Sequence, residues 1–372
     1  MTERALVHID LGAVERNCGR VRELLAEKTL LCAVVKGNAY GHGDIWCAKA
    51  ALAGGADWLA VAAAAEAVEL RRHGIGSPLL VMGALTHEDA QAAVEATADV
   101  VVWEPEFAHA LAAAAEAAGV TARVHVKLDT GMGRLGTKDP EQALAVARIA
   151  AETDHLELVG LMTHFATADD RGDDYFDQQL RAFADFASRF RAEHPDVVVH
   201  AANSPGTFRD PAAHFDMVRC GVALYGLDPF QEDPFARGLE PALSLHSYVA
   251  AVRRFEAGQS AGYGRRWRAQ QPTWVATLPI GYGDGWRRAL TNNADVLIRG
   301  SRHPLVGAVS MDNITVDLGP DTDVVPGTPA VLVGSDGDER ITAEEVARRI
   351  DTINYEITCG LLPRARRQWS AA

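Results

Sequence analysis

The sequence is short of cysteine. Five occur in 372 residues (Cys18, Cys32, Cys47, Cys220 and Cys359), odd in number, dispersed, and with no C-x-x-C pair. That pattern excludes a disulfide framework and argues against a structural zinc site; no metal is expected, and a reducing, cytoplasmic compartment fits. Positive charge is also scarce: 36 basic residues face 50 acidic ones, a formal net charge of -14. Nucleic acid and anionic membrane surfaces both want a basic face, so neither is an expected partner and a small-molecule substrate is the default. No apolar run approaches the ~20 residues of a membrane helix. The alanine-rich stretch 108–118 is interrupted by His109 and Glu116 and reads as a soluble helix. Residues 1–10 hold Glu3, Arg4 and Asp10 and no apolar h-region, unlike a signal peptide. What is present is an ordinary globular composition in a chain too long for one core, so two domains are expected.

Through the first two-thirds of the chain, short β-branched apolar runs alternate with longer amphipathic segments. The runs begin near Leu30, Trp58, Leu79, Val100, Val124, Leu156, Val197 and Phe215. Segments between them, such as 141–151 and 174–192, carry apolar residues at helical spacing. Such alternation implies parallel strands joined by crossover helices. Eight strands point to an α/β chain with an N-terminal (β/α)8 TIM-type barrel, since an open doubly wound sheet usually has fewer. From about Pro234 the pattern turns strand-like, at 243–252, 273–278, 296–298, 305–309, 314–318 and 330–333, with turn signals such as Asp336-Gly337-Asp338 between. The expected organisation is a barrel over 1–233 and a mostly β C-terminal domain over 234–372. Residues 229–238 are the linker candidate, and the first few residues are candidates for the β domain instead. One helix, 343–350, is expected there, N-capped by Thr342 with Glu345 completing a capping box.

In such barrels, function collects on loops at the C-terminal ends of the strands. Chemically capable residues do cluster there. Lys36 ends the first barrel strand, expected over 30–35. Lys127, Asp129 and Arg134 follow the fifth, Thr163 and His164 the sixth, Asn203 and Ser204 the seventh, and Arg219 and Gly221 the eighth. Cations, hydroxyls, an amide and glycine-rich turns can together hold a phosphate and an anionic substrate. No carboxylate pair stands out for a metal or for glycosidase chemistry. A hydrolase built on Ser204 and His164 lacks the G-x-S-x-G elbow. A strand-end lysine can form a Schiff base when its surroundings free the amine; by position alone, a solvated lysine is the plain alternative.

Context decides between them. The run Val34-Val35-Lys36-Gly37-Asn38-Ala39-Tyr40-Gly41-His42-Gly43 closely resembles the pyridoxal-phosphate attachment motif of bacterial alanine racemases. The resemblance recurs in order along almost the whole chain: Lys127-Leu128-Asp129-Thr130-Gly131-Met132-Gly133-Arg134, Gly160-Leu161-Met162-Thr163-His164, Asn203-Ser204 and Arg219-Cys220-Gly221-Val222. It continues with Gly262-Tyr263-Gly264-Arg265, Gly281-Tyr282-Gly283-Asp284-Gly285, Met311-Asp312 and Ile353-Asn354-Tyr355-Glu356. It implies a fold type III barrel plus β domain, and a head-to-tail homodimer with shared active sites. It also implies interconversion of L- and D-alanine, supplying D-alanine for peptidoglycan synthesis.

Carried over residue by residue, the resemblance implies that Lys36 holds the cofactor as an internal aldimine. Tyr40, Ser204, Tyr355 and the amides of Gly221 and Val222 would hold the phosphate, with Asn203 beside them. Arg219 would face the pyridine nitrogen and His164 would hydrogen-bond Arg219. An arginine stays protonated and does not hand its proton to the ring nitrogen, so the ring stays a weaker electron sink and transamination is suppressed. Racemisation needs a base on each face of Cα: Lys36 on one, and Tyr263 of the second subunit on the other. An ordinary phenol ionises near ~10, so a tyrosine base needs cationic neighbours, and Arg265 and Arg266 adjoin it in sequence. Arg134 would bind the cofactor phenolate and the substrate carboxylate, with Met311 and Asp312 also on the substrate. Lys127 has the family spacing of a lysine that can be carbamylated to position Arg134. Asp169, Tyr282 and Arg288 match residues of the substrate channel.

Three departures stand out. Gly37 replaces a usual alanine, Ser310 a common cysteine, and Ala308 a frequent channel arginine, which bears on how strictly alanine is selected. The alternative is a broader-specificity or serine racemase on the same scaffold. A decarboxylase normally sets a glutamate, not an arginine, at the pyridine nitrogen. A pyridoxal-phosphate carrier protein is typically single-domain and lacks a counterpart of Tyr263.

Overall fold

The first strand, β1 (Leu6–Asp10), does not enter the barrel. It pairs antiparallel with Leu243–Tyr248 and parallel with Arg366–Ser370. The barrel is built from the eight strands that follow: β2 (Leu30–Val34), β3 (Trp58–Val61), β4 (Leu79–Val81), β5 (Asp99–Val102), β6 (Ala122–Lys127), β7 (Leu156–Met162), β8 (Val198–His200) and β9 (Met217–Cys220). They run parallel in chain order, and β2 closes the circle on β9 through Leu30↔Met217 to Ala33↔Cys220. In this computed structural model residues 3–371 are described. The chain divides into two compact units, Glu15–Leu224, and Met1–Val14 with Tyr225–Ala372. The (β/α)8 barrel followed by a mostly β region is the architecture expected from the periodicity.

Strands β3, β4, β5 and β9 are buried at every position. A barrel strand is covered by side chains within and helices without, so it carries apolar residues on both faces. The helices begin and end where local chemistry dictates. Pro140–Glu152 opens on proline, with Asp139 accepting from the Glu141 amide at 2.9 Å; Pro105–Ala118 also opens on proline and stops at Gly119 in the left-handed region. Buried alanines on these helices, among them Ala108, Ala112, Ala143 and Ala147, keep the outer layer close to the strands.

The second unit holds two main sheets. One runs Ser301–Pro304, Asp295–Ile298, Pro329–Asp336, Leu243–Tyr248, β1 and Arg366–Ser370, with Glu339–Ile341 paired to Pro329–Asp336; the other is Ala251–Phe255, Thr273–Leu278 and Ile314–Gly319. Three local expectations change. The run 243–252 is two strands in different sheets, not one. The run 305–309 is no strand: Leu305 makes a single bridge to Val316, and the pairing falls on Ser301–Pro304. Thr342 does cap Ala343–Arg349, accepting from the Glu345 amide, but the Glu345 carboxylate turns to Arg302 and Arg349 instead of closing a box. No helix among the described residues is long and apolar enough to cross a membrane.

Candidate active site

Strand β2 stops at Val34, one residue short of the expected end, because the chain leaves extended geometry at Val35 and enters a left-handed turn. Gly37, Asn38, Ala39 and Tyr40 all have φ between 52 and 62°. Left-handed geometry costs a non-glycine residue roughly 1–2 kcal/mol, so three successive ones need outside support. They have it. His42 is fully buried and its Nδ1 lies 3.0 Å from the Ala39 carbonyl and 3.1 Å from that of Tyr40. Two carbonyls only accept, so Nδ1 carries the proton. Asn38 Oδ1 accepts from the Asp44 amide at 3.2 Å, and Glu66 Oε1 from the Gly37 amide at 2.6 Å. At Gly37 itself the glycine removes strain, since its φ of 62° is unfavourable for the usual alanine.

The turn sets two half-buried side chains, Lys36 and Tyr40, at one end of the barrel. Tyr40 Oη lies against Gly221 so closely that a Cβ there would sit 2.3 Å from it. Beside them, buried Ser204 Oγ accepts from the Gly221 amide at 3.0 Å and the Ala223 amide at 3.4 Å. Asn203 is committed to capping the short helix Ser204–Arg209, accepting from the Gly206 amide at 3.1 Å.

Arg219 is almost fully buried and donates to partners on four sides. Nη1 donates to His200 Nδ1 at 2.8 Å; Nη2 donates to the Thr163 and Ala201 carbonyls at 2.9 Å and reaches His164 Nδ1 at 3.3 Å. Beyond His200 the chain of bonds continues into the barrel. His200 Nε2 meets His125 Nδ1 at 2.9 Å, and His125 Nε2 meets Asp99 Oδ2 at 3.1 Å. A guanidinium only donates, so the polarity is fixed: Arg219 to His200, His200 to His125, His125 to the Asp99 carboxylate, both rings neutral. Arg123 holds the other Asp99 oxygen at 3.0 Å. Burial first, then the Arg219 charge, keeps His200 well below the usual histidine value, in keeping with a neutral ring. Burial also pulls Arg219 down to about 10, leaving it cationic at neutral pH. Room for the relay comes from Gly160 on β7, where a Cβ would stand 1.9 Å from His125 Nδ1.

The loops after β6 and β7 complete the rim. Asp129 accepts from the Gly131 and Gly133 amides and so folds the turn that leads to exposed Arg134. Buried Gln179 ties the two loops together, donating to Thr130 Oγ1 and the His164 carbonyl and accepting from the Ala166 amide. Lys127 is buried at the end of β6, and its amine is pulled down to about 8. Desolvation is the main cause, followed by the charges of Arg219 and Arg134; Asp129 opposes them and Lys36 adds to them. Half-buried His164 is held well below its usual value by burial and then by Arg219, Lys127, Arg134 and Lys36. Asp169 is exposed on the loop beyond.

The remaining expected residues lie in the β unit. Tyr263 is 75% exposed, Met311 51% and Tyr282 40%. Ala308 and Tyr263, with Gly262, Ser310 and Asn313, line a recess of about 440 Å³. Asp312 Oδ1 accepts from Arg364 at 2.7 Å and the Met311 carbonyl from the same arginine at 3.2 Å. Arg265 Nε donates to Ser260 Oγ at 3.0 Å. Arg288 is exposed and Tyr355 half-buried on Asn354–Cys359.

Sequence reasoning missed His200, His125, Asp99 and Glu66. The first two had a readable signal: in Ala122–Lys127, His125 and Lys127 share with Arg123 the side opposite apolar Ala122, Val124 and Val126, and His200 ends another strand. Glu66 had none, because its partner Gly37 lies 29 residues away.

Fold and rim together define a (β/α)8 barrel protein with a lysine just beyond a strand end and further cationic side chains gathered beside it. Residues 9–229 match the alanine racemase N-terminal domain family and residues 242–369 the alanine racemase C-terminal domain family. An alanine racemase of Symbiobacterium thermophilum is 43% identical over 360 residues, covering 96% of this chain and 95% of that one. One from Geobacillus stearothermophilus is 40% identical over 365 residues, covering 96% and 92%. The crystal structure of alanine racemase from Streptomyces lavendulae, a D-cycloserine producer, superposes with a TM-score of 0.95 at 37% identity, over 100% of this chain and 98% of that one. The chain belongs to the alanine racemase family and is an isomerase.

Proposed function

We propose that the chain interconverts L-alanine and D-alanine by a two-base mechanism on pyridoxal phosphate, and that the D-alanine serves peptidoglycan synthesis in the cytoplasm. The observation that carries the reading is the charge of the barrel rim. Lys36, Lys127, Arg134 and Arg219 all act on His164, and Lys127 feels the other three. Cations gathered this way suit an anion among them, a phosphate or a carboxylate. The donor set also fits the cofactor: Tyr40 Oη against a glycine with no room for a Cβ, the Ser204 hydroxyl, the Val222 N–H, and the Gly221 N–H, which here donates to Ser204 Oγ and would turn to the phosphate.

When bound, the pyridoxal ring supplies an electron sink that acidifies the substrate Cα–H. Lys36 Nζ attaches the cofactor and holds or returns the proton on one face of Cα. Tyr263 Oη of a second copy serves the other face. A homodimer is supported by three large side chains of the β unit left open to solvent, Tyr263, Tyr282 and Met311, which a second copy would cover. Arg219, cationic at neutral pH, would hold the pyridine nitrogen with an N–H and would not pass it a proton. Arg134 orients the substrate carboxylate. Lys127, with an amine value of about 8, has enough free base to add CO2, releasing a proton and becoming an anion within the field of Arg134 and Arg219.

Chiral product analysis on L-alanine, L-serine and bulkier amino acids tests the reading, with wild type, Tyr263→Phe and Lys36→Ala compared. The expected result is rapid L-to-D conversion of alanine, slow reaction of the others, and severe loss in both variants. Comparable rates across side chains would replace alanine with a broad substrate range. Cofactor bound without any D-product would refute racemisation, and cofactor still trapped by borohydride in Lys36→Ala would refute the lysine.

A further inference from the structure

The Glu66 carboxylate spans two elements that are distant in sequence. Its Oε2 accepts from the Ala62 and Ala63 amides at 2.8 and 3.1 Å, at the head of the helix Ala64–Arg72. Ala63, the residue in the N-cap place, has no side-chain acceptor, so Glu66 reaching back is what satisfies these donors. Its Oε1 accepts from the Gly37 amide at 2.6 Å, at the entry to the left-handed turn. That turn then runs Asn38, Ala39, Tyr40 in the same strained geometry and ends with Tyr40 Oη against Gly221. One carboxylate therefore ties the loop after β2 to the helix after β3 at the point where the backbone departs from ordinary dihedrals.

We propose that Glu66 is a positioning residue for the cofactor phosphate: by anchoring Gly37 it fixes the turn that places the Tyr40 hydroxyl. The inference rests on the reading that this rim holds pyridoxal phosphate. Both Glu66 oxygens are committed to backbone amides, so it would act through the turn. Lys36 precedes the first left-handed residue, whereas Tyr40 ends the run, so freeing the turn to relax moves Tyr40 more than Lys36 and the larger loss falls on the phosphate end.

The test is cofactor affinity, measured by absorbance titration of apoprotein with pyridoxal phosphate and, separately, with pyridoxal, which has no phosphate. Glu66→Ala is expected to weaken pyridoxal phosphate by roughly 10- to 100-fold, the scale of its charge-assisted hydrogen bond to Gly37, and pyridoxal by less than about twofold. Glu66→Gln keeps an oxygen for Gly37 but turns an N–H2 toward the Ala62 and Ala63 amides, and is expected to fall between; it serves also if Glu66→Ala does not fold. If Glu66 acts through Tyr40, Glu66→Ala and Tyr40→Phe are non-additive on phosphate selectivity. Additive losses, or equal weakening of both ligands, overturn the proposal. Wild type that binds no pyridoxal phosphate overturns the underlying functional reading; wild type that binds, with variants matching its selectivity, overturns this inference alone.

Discussion

Substituting His200 by phenylalanine is the sharpest test of the buried relay. The ring lies between Arg219 Nη1 at 2.8 Å and His125 Nδ1 at 2.9 Å, with all three groups inside the barrel. Phenylalanine fills the space but accepts nothing and donates nothing. Two buried groups then lose their partner: a guanidinium N–H and an imidazole nitrogen. An orphaned buried polar group costs about 1–3 kcal/mol, and more when it is charged, so the pair comes to roughly 3–5 kcal/mol. That is a large share of the ~5–15 kcal/mol that hold a domain folded. At ~2–4 °C per kcal/mol for a domain of this size, thermal unfolding should fall by about 6–20 °C, read by circular dichroism on the purified protein. The pH dependence gives a second reading. His200 is depressed in the native state, so below the ordinary histidine value of ~6.5 the unfolded chain takes up a proton that the native ring refuses. Stability from this group is level above that pH and is lost as pH falls through the window below it, by up to about 1.4 kcal/mol per pH unit, until the native value is reached. The variant lacks that loss and should have a flatter acid limb. A melting point within about 2 °C of wild type, or an unchanged acid slope, would refute the relay.

Gly160→Ala places a Cβ 1.9 Å from His125 Nδ1, so the ring must move and its bond to His200 goes with it. A loss of about 2–4 kcal/mol is expected, and because the same bond is broken, the double variant with His200→Phe should lose less than the sum; additive losses would mean the two sites are independent. For Lys127, a carbamate carbon signal should appear in NMR spectra recorded with labelled bicarbonate, rise as pH passes above about 8, and vanish in Lys127→Arg. No signal at any pH would exclude the carbamate.

Local chemistry determined much of this protein by itself. The alternation of apolar runs and amphipathic segments specifies parallel strands with crossover helices, because side-chain period follows element type wherever one face is buried. Strand-end position then put Lys36, Lys127, His164, Ser204 and Arg219 on one rim, and the ordered motifs identified the family. Errors fell where the signal was shared between structures: 305–309 has a strand's composition, yet its neighbour 301–304, with Arg302 and His303, holds the pairing.

Tertiary structure alone decided what surrounds those residues. That Asp99 answers Arg219 through two histidines depends on which side chains four different strands point inward, and on Gly160 leaving space for one of them. The left-handed run from Gly37 to Tyr40 opposes the intrinsic preference of three of its residues, so no local rule predicts it. It is stable because His42 and Glu66 satisfy its carbonyls and its entry amide. Propensity is a property of neighbours in sequence, whereas strain is relieved by neighbours in space, which only the folded chain brings together.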